Sequence, residues 1–92
     1  MIKLNEYFDG KVKSLGAESS QGRFTAGIMV PGEYVFKTDQ EEHITVTLGD
    51  LHIRLPQKEW EKISKGETLV VPAGISFDLR IDETASYICF YR

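Results

Sequence analysis

Apolar and polar residues alternate along four stretches of the chain. The apolar positions are Phe24, Ala26, Ile28 and Val30 in FTAGIMV, Ile44, Val46 and Leu48 in HITVTL, Leu51, Ile53 and Leu55 in LHIRL, and Ile75, Phe77, Leu79 and Ile81 in ISFDLRI. A period of two over several residues is typical of a strand with one buried face. Each stretch is therefore predicted to be a β-strand whose apolar positions face the core.

Glycine and proline mark turns between these stretches. Gly49-Asp50 separates two of them and predicts a tight hairpin. Pro31-Gly32, Lys65-Gly66 and Ala73-Gly74 indicate further turns. Many short strands with frequent turns predict an all-β sandwich or barrel. Such a sheet must close or pair its edges, which favours a dimer.

Only one stretch, QKEWEKISKG at 57–66, has room for a helical turn. Its charges instead favour a solvated connection, with Trp60 folded back onto the sheet edge. The sequence contains no repeat, linker or low-complexity segment. A chain of 92 residues is too short for a second core, so we expect a single domain over residues 1–92.

Size and charge limit the classes of partner. A chain of this length buries roughly 60–65% of its unfolded surface, so a partner subunit would add stability. The net charge is −3, and the lysines are scattered or lie beside acids, which argues against a nucleic-acid-binding surface. A small phosphorylated ligand remains compatible, because one or two arginines suffice to bind it.

Cysteine content and the N-terminal residues indicate a compartment. A single cysteine, Cys89, cannot form an internal disulfide, which fits a reducing environment. Cys89 lies in the predicted strand SYICFYR and is expected to pack in the core rather than act as a nucleophile. No signal-peptide stretch or transmembrane window occurs, so we expect a cytoplasmic protein without membrane contact.

The stretch GETLVVPAGISF resembles the second motif of cupin β-barrels. It keeps the glycine–proline–glycine frame in Gly66, Pro72 and Gly74, and it carries Phe77 at the position of a metal-binding histidine. The resemblance implies a single-domain cupin-like β-barrel of the jelly-roll type.

The first cupin motif falls on residues 36–49 and lacks both of its histidines. Phe36 and Thr38 occupy those positions, whereas Glu42 matches the usual glutamate. One carboxylate cannot hold a transition metal, which needs three or four matched ligands. His43 and His52 do not restore the site, since both are expected on the face opposite the core. The sequence therefore predicts a metal-free barrel.

The mouth of this barrel is predicted to carry aromatic and polar side chains. The expected inward positions are Tyr34, Phe36, Thr38, Glu42 and Phe77. Aromatic walls with a carboxylate and a hydroxyl suit a flat organic ligand with polar edges. The alternative is that Phe36 and Phe77 only fill the barrel.

A second candidate site lies in AESSQGRFTAG, residues 17–27. Ser19, Ser20, Gly22 and Arg23 cluster there just before a predicted strand. Hydroxyls, backbone amides and a guanidinium together can bind an oxyanion. The stretch is not a P-loop, because neither GK[ST] nor a helix follows. The alternative interpretation is an ordinary loop.

Five segments in order resemble the pyrimidine/purine nucleoside phosphorylase family, a group of small bacterial cupin-like proteins. The segments are NEYFDGKVKS, GIMVPGEYVFKT, EEHITVTLGDL, LVVPAGISFDL and TASYICFY. They run from Asn5 to Tyr91, and the spacing differs only around LPQKEW. The resemblance implies a metal-free homodimer without a cofactor that accepts purine and pyrimidine nucleosides. Inorganic phosphate would be the co-substrate, and the products would be the free base and α-D-ribose 1-phosphate.

This chemistry gives roles to the candidate residues. Arg23 with Ser19, Ser20 and Gly22 would hold phosphate, and Arg23 and Glu42 would be the catalytic pair. Nucleoside-binding residues would be Tyr34, Phe36, Thr38 and Phe77, with aromatic rings stacked on the base.

Several alternatives stay open. Tyr7 and Tyr87 also qualify for the pocket, Arg54 and Arg80 also qualify for phosphate, and water is an adequate acid for the leaving base. Among functions, the alternatives are a non-catalytic nucleoside-binding cupin, a nucleoside hydrolase and a structural adaptor.

Overall fold

The computed structural model describes residues 1–92, which form ten β-strands and no helix. The strands are β1 (Lys3–Tyr7), β2 (Val12–Ser19), β3 (Gly22–Met29), β4 (Gly32–Lys37), β5 (Glu42–Leu48), β6 (Asp50–Arg54), β7 (Glu61–Ser64), β8 (Thr68–Val71), β9 (Ser76–Ile81) and β10 (Ala85–Tyr91). No segment therefore forms a helix that is able to cross a membrane.

The strands make two antiparallel sheets. The six-stranded sheet has the order β1-β2-β3-β10-β5-β8, and the four-stranded sheet has the order β4-β9-β6-β7. The prediction of an all-β fold is confirmed. The prediction of a closed barrel is wrong, because the hydrogen-bonded ladders of the two sheets do not join. A cupin-like jelly-roll topology stays a prediction.

One hydrophobic core of fifteen buried residues lies between the sheets. The four-stranded sheet contributes Leu51, Ile53, Phe77, Leu79 and Ile81, as the alternation in β6 and β9 predicts. Their burial removes the apolar face of each strand from water, which is the main term that holds the sheets together.

The predicted face of β3 is wrong. Thr25, Gly27 and Met29 point inward, whereas Ala26 and Ile28 point to solvent. Both faces of this strand carry apolar residues, so alternation alone cannot choose between them. The space available to each side chain distinguishes the two faces. A Cβ at position 27 would lie 2.5 Å from the Tyr87 ring, so only glycine fits at this inward position.

The predicted hairpin at Gly49-Asp50 is also wrong. β5 belongs to the six-stranded sheet and β6 to the four-stranded sheet, so the two strands do not pair. Gly49, with a φ of 74°, turns the chain from one sheet to the other within a single residue. Leu48, just before this corner, is 56% exposed rather than buried. Two consecutive strands with apolar faces fit such a corner as well as a hairpin.

The charged stretch 57–66 contains a strand instead of a solvated connection. β7 pairs with β6 at the edge of the four-stranded sheet. Trp60 does fold back onto this sheet, where the guanidinium carbons of Arg54 and Arg80 lie 4.7 and 5.4 Å from its ring centroid.

Candidate active site

A cavity of about 1120 Å³ lies between the inner faces of the two sheets. Most of its wall is apolar, and most of its polar groups lie on the side of the six-stranded sheet, with Lys37 of β4 and the β4–β5 connection supplying the others. Binding sites for organic molecules in proteins have this character and a volume of ~300–1000 Å³. The cavity is therefore large enough for a small organic ligand.

The wall of the four-stranded sheet is aromatic. Phe36 on β4 and Phe77 on β9 are directly paired in the register, and their rings stack with centroids 6.1 Å apart. Tyr7 from β1 meets Phe36 edge to face, with centroids 5.7 Å apart. Two of the three positions that the sequence comparison matched to cupin histidines, Phe36 and Phe77, thus come together as a continuous aromatic surface.

The opposite wall carries hydroxyl and amide groups. Asn5 Nδ2 donates to Ser14 Oγ at 3.3 Å, and the hydroxyls of Thr25 and Tyr91 lie 3.2 Å apart. These residues occupy inward positions of β1, β2, β3 and β10. This polar wall was not predicted from the sequence, because Thr25 lies on the face of β3 that was expected to point outward and Asn5 reaches the cavity only through the pairing of β1 with β2.

Arg23 lies at the rim of the cavity. Its guanidinium carbon lies 4.2 Å from the centroid of the Tyr91 ring, and its Nη2 donates to Gln40 Oε1. Arg23 forms no ion pair with a carboxylate. The cation is thus held in place by neutral groups, so its charge is available to an anion.

Glu42 lies at the same end of the six-stranded sheet. Its β5 position pairs with Tyr91 of β10, which in turn neighbours β3 and Arg23. Burial raises the pKa of Glu42, although the Cys89 thiol, 3.7 Å from Oε1, and the charge of Arg23 oppose the shift. Two strand spacings separate β3 from β5, so the backbones of Arg23 and Glu42 are about 10 Å apart.

Cys89 and Tyr91 are protonated at neutral pH. Burial, together with the neighbouring Glu42 carboxylate, raises the pKa of the Cys89 thiol to about 12. Burial likewise raises the pKa of the Tyr91 hydroxyl to about 12. Cys89 is almost fully buried in the core, as expected from the sequence, and a thiol in this state is not a nucleophile.

Five of the predicted site residues do not line the cavity. Ser19, Ser20 and Gly22 lie at the β2–β3 turn, where the Ser19 hydroxyl donates to the Gly22 carbonyl at 3.1 Å. Thr38 is buried, and its hydroxyl donates to the Pro72 carbonyl at 2.7 Å. Tyr34 is buried, and its hydroxyl donates to the Val30 carbonyl. Arg23, Glu42, Phe36 and Phe77 do line the cavity.

The other candidate ligands face away from the cavity. His43 contacts Glu41 at 2.8 Å, and His52 contacts Asp82 at 3.4 Å, both on outer faces as the alternation predicts. Arg54 is paired with Asp78 on the outside of the four-stranded sheet. No group of three histidine, cysteine, aspartate or glutamate side chains is placed to hold a metal ion.

Fold and site together define a small all-β protein whose cavity offers an aromatic wall, a polar wall and an unpaired arginine at its rim. The model of the pyrimidine/purine nucleoside phosphorylase family matches residues 2–91. The chain belongs to this family.

Relatives match over almost their full length. The pyrimidine/purine nucleoside phosphorylase of Magnetococcus marinus is 45% identical over 92 residues, which is 99% of each chain. That of Yersinia enterocolitica is 46% identical over 93 residues, which covers 99% of this chain and 98% of the relative. A crystal structure of a protein of unknown function from Vibrio parahaemolyticus, 38% identical, superposes with a TM-score of 0.96 over 100% of this chain and 99% of that one.

Proposed function

We propose that the chain cleaves purine and pyrimidine nucleosides with inorganic phosphate, giving the free base and α-D-ribose 1-phosphate. A phosphate oxygen forms the new bond to C1′, and the electron pair of the C1′–N bond leaves with the base. The observation that carries the proposal is the placement of Arg23 and Glu42. They line one cavity at the same end of the six-stranded sheet, across from the aromatic wall. This arrangement suits a ligand with an anion, a sugar and a ring.

Phosphate binds at Arg23 in this proposal. The guanidinium is held by the Tyr91 ring and the Gln40 amide, so little side-chain freedom is lost when an anion binds. Holding phosphate beside C1′ converts a two-molecule reaction into an effectively intramolecular one. Ser19, Ser20 and Gly22 have no part in this step, because their groups lie outside the cavity.

The ribose lies between Arg23 and Glu42. Positive charge develops on the sugar as the base departs, and a nearby carboxylate stabilises it. Glu42 also accepts hydrogen bonds from ribose hydroxyls, while Asn5 and Thr25 provide further partners on the polar wall. The raised pKa of Glu42 makes this contribution dependent on pH.

The base stacks on Phe36 and Phe77. Every nucleobase has a π-face, so stacking binds purines and pyrimidines without reading their polar edges. Water protonates the departing base. The reaction needs neither a metal ion nor a cofactor in this scheme, because Arg23 supplies the positive charge for phosphate.

The functional unit in this proposal is a homodimer that pairs the outer faces of two six-stranded sheets. Leu4, Leu15, Ala26 and Ile88 form a continuous row across four neighbouring strands of that face. Leu4 and Leu15 are 57% and 51% exposed, and an apolar row on a sheet face is typical of an interface. The variant Leu15→Glu should sediment as a monomer, whereas Lys62→Glu on the other sheet should not. A wild-type chain that is monomeric at all concentrations would contradict this.

The test is a product assay with chelator-treated protein. Uridine and adenosine are incubated with and without inorganic phosphate, and free base and ribose 1-phosphate are measured. We expect equal amounts of the two products, and only with phosphate. Base release without phosphate would identify a hydrolase instead. Nucleoside binding without any release would identify a non-catalytic binding protein.

A further inference from the structure

The turn between β1 and β2 holds an aromatic residue in an unfavourable backbone conformation. Phe8 and Asp9 have φ of 53° and 56°, and Gly10 N donates to Tyr7 O at 3.2 Å. Tyr7 pairs with Val12, so the connection is a four-residue loop, in which Gly10 also has a positive φ, of 83°. Among non-glycine residues, asparagine and aspartate adopt positive φ most readily. A bulky aromatic residue with positive φ is rare, because its side chain crowds the backbone.

This conformation carries the Phe8 ring from the six-stranded sheet across to the four-stranded sheet. Its centroid lies 5.0 Å from that of Tyr34 and 5.3 Å from that of Phe36. Phe8 lines the cavity, yet the residue remains 42% exposed. A residue that served the core alone would be buried more completely, so part of this ring is free to meet a ligand.

We propose that Phe8 is a base-contacting residue that extends the aromatic wall of Phe36 and Phe77. The inference rests on the proposed function and adds a residue to the base subsite. Unfavourable backbone conformations persist where the surrounding structure holds them, and they concentrate at ligand-binding sites. At position 8 asparagine would suit the positive φ better than phenylalanine, so the turn does not account for the ring, whose role lies in its contact with the base.

The test separates the ring from the turn. Phe8→Asn removes the ring and favours the turn, while Asp9→Asn favours the turn and keeps the ring. We expect Phe8→Asn to raise KM for both uridine and adenosine by roughly tenfold, as expected for one lost stacking contact. Its KM for phosphate should not rise, and its Tm should not fall. Asp9→Asn should leave the KM for nucleosides and the KM for phosphate as in the wild type.

Two kinetic results would overturn the inference. One is an unchanged nucleoside KM in Phe8→Asn. The other is a fall in Tm together with equal rises in KM for the nucleoside and KM for phosphate, which would show that the ring only supports the fold.

Equilibrium binding of adenine and uracil, measured by calorimetry, keeps this inference separate from the proposed reaction. If the wild-type chain binds the bases but shows no phosphorolysis, and Phe8→Asn loses the base affinity, the proposed reaction would be wrong and the contact between Phe8 and the base would be supported. If the wild type and Phe8→Asn bind the bases with equal affinity, the proposed contact between Phe8 and the base would be wrong, whether or not the chain catalyses phosphorolysis. No base binding by the wild type would overturn both.

Discussion

The guanidinium of Arg23 lies over the ring of Tyr91 on the neighbouring strand, with 4.2 Å between its central carbon and the ring centroid. This contact fixes a cation at the cavity rim without neutralising it. Tyr91 also pairs in the register with Glu42, so one aromatic residue sits between the positive and the negative group. The proposed reaction depends on that spacing, because the anion and the sugar must lie side by side.

Replacement of Arg23 should weaken phosphate binding selectively. Arg23→Ala loses charge-assisted hydrogen bonds worth ~1.5–3 kcal/mol, so KM for phosphate should rise roughly 10- to 100-fold. Arg23→Lys should recover only part of this, because lysine lacks the planar fork and its stacking. Arg54→Ala, which removes an outward arginine, is the matched control. Equal phosphate KM values in Arg23→Ala and wild type would remove Arg23 from the site.

Glu42 should make stability fall as pH rises. Burial raises its pKa above the usual 4.5, so the folded chain keeps a proton that the unfolded chain has lost. The free energy of unfolding therefore decreases with pH from about 4.5 up to the folded pKa and then levels.

Glu42→Gln cannot titrate and should escape this fall. Urea unfolding from pH 4.5 to 7 should show the glutamine variant gaining stability relative to the wild type as pH rises. The pH-dependent contributions of the other carboxylates cancel in this difference, because both chains contain them. Parallel curves, or a difference of opposite sign, would contradict the shift of the Glu42 pKa.

Cys89 should be unreactive in the folded chain. Its pKa of about 12 leaves almost no thiolate at pH 8, and the side chain is buried. A thiol reagent such as iodoacetamide should label the urea-unfolded chain and leave the native chain unmodified over the same period. Rapid native labelling with loss of activity would reopen the possibility of a cysteine nucleophile.

Gly27 should not tolerate a side chain. A Cβ there would lie 2.5 Å from the Tyr87 ring, so Gly27→Ala should cost about 1–3 kcal/mol of unfolding free energy through overpacking. Tyr87→Leu removes the obstructing ring. In a double-mutant cycle, Gly27→Ala should therefore cost less in the Tyr87→Leu background than in the wild type. Additive costs would show that the two residues do not interact.

The sequence predicts the strands well where one face is apolar and the other polar. β6 and β9 meet this condition, and their buried residues, such as Ile53 and Leu79, were identified correctly. β3 does not, because Ile28 faces outward while Thr25 lines the cavity and Gly27 lies against the Tyr87 ring. A cavity wall and an exposed apolar row reverse the usual pattern together, so period-two alternation assigns the wrong face.

The candidate site was only partly predicted from the sequence. Motif spacing predicted inward positions for Phe36, Phe77 and Glu42, and all three line the cavity. Asn5 was not found, because it reaches the cavity only through the pairing of β1 with β2. Phe8 was not found either, since its placement depends on a positive-φ turn that its residue type does not favour.

The most direct test of the account is a crystal structure of the chain grown with uracil and inorganic phosphate. We expect uracil against the rings of Phe36 and Phe77, and phosphate within hydrogen-bond distance of the Arg23 guanidinium. Phosphate bound instead at Arg54 or Arg80, or uracil bound outside the cavity, would contradict the claim that this cavity is the active site.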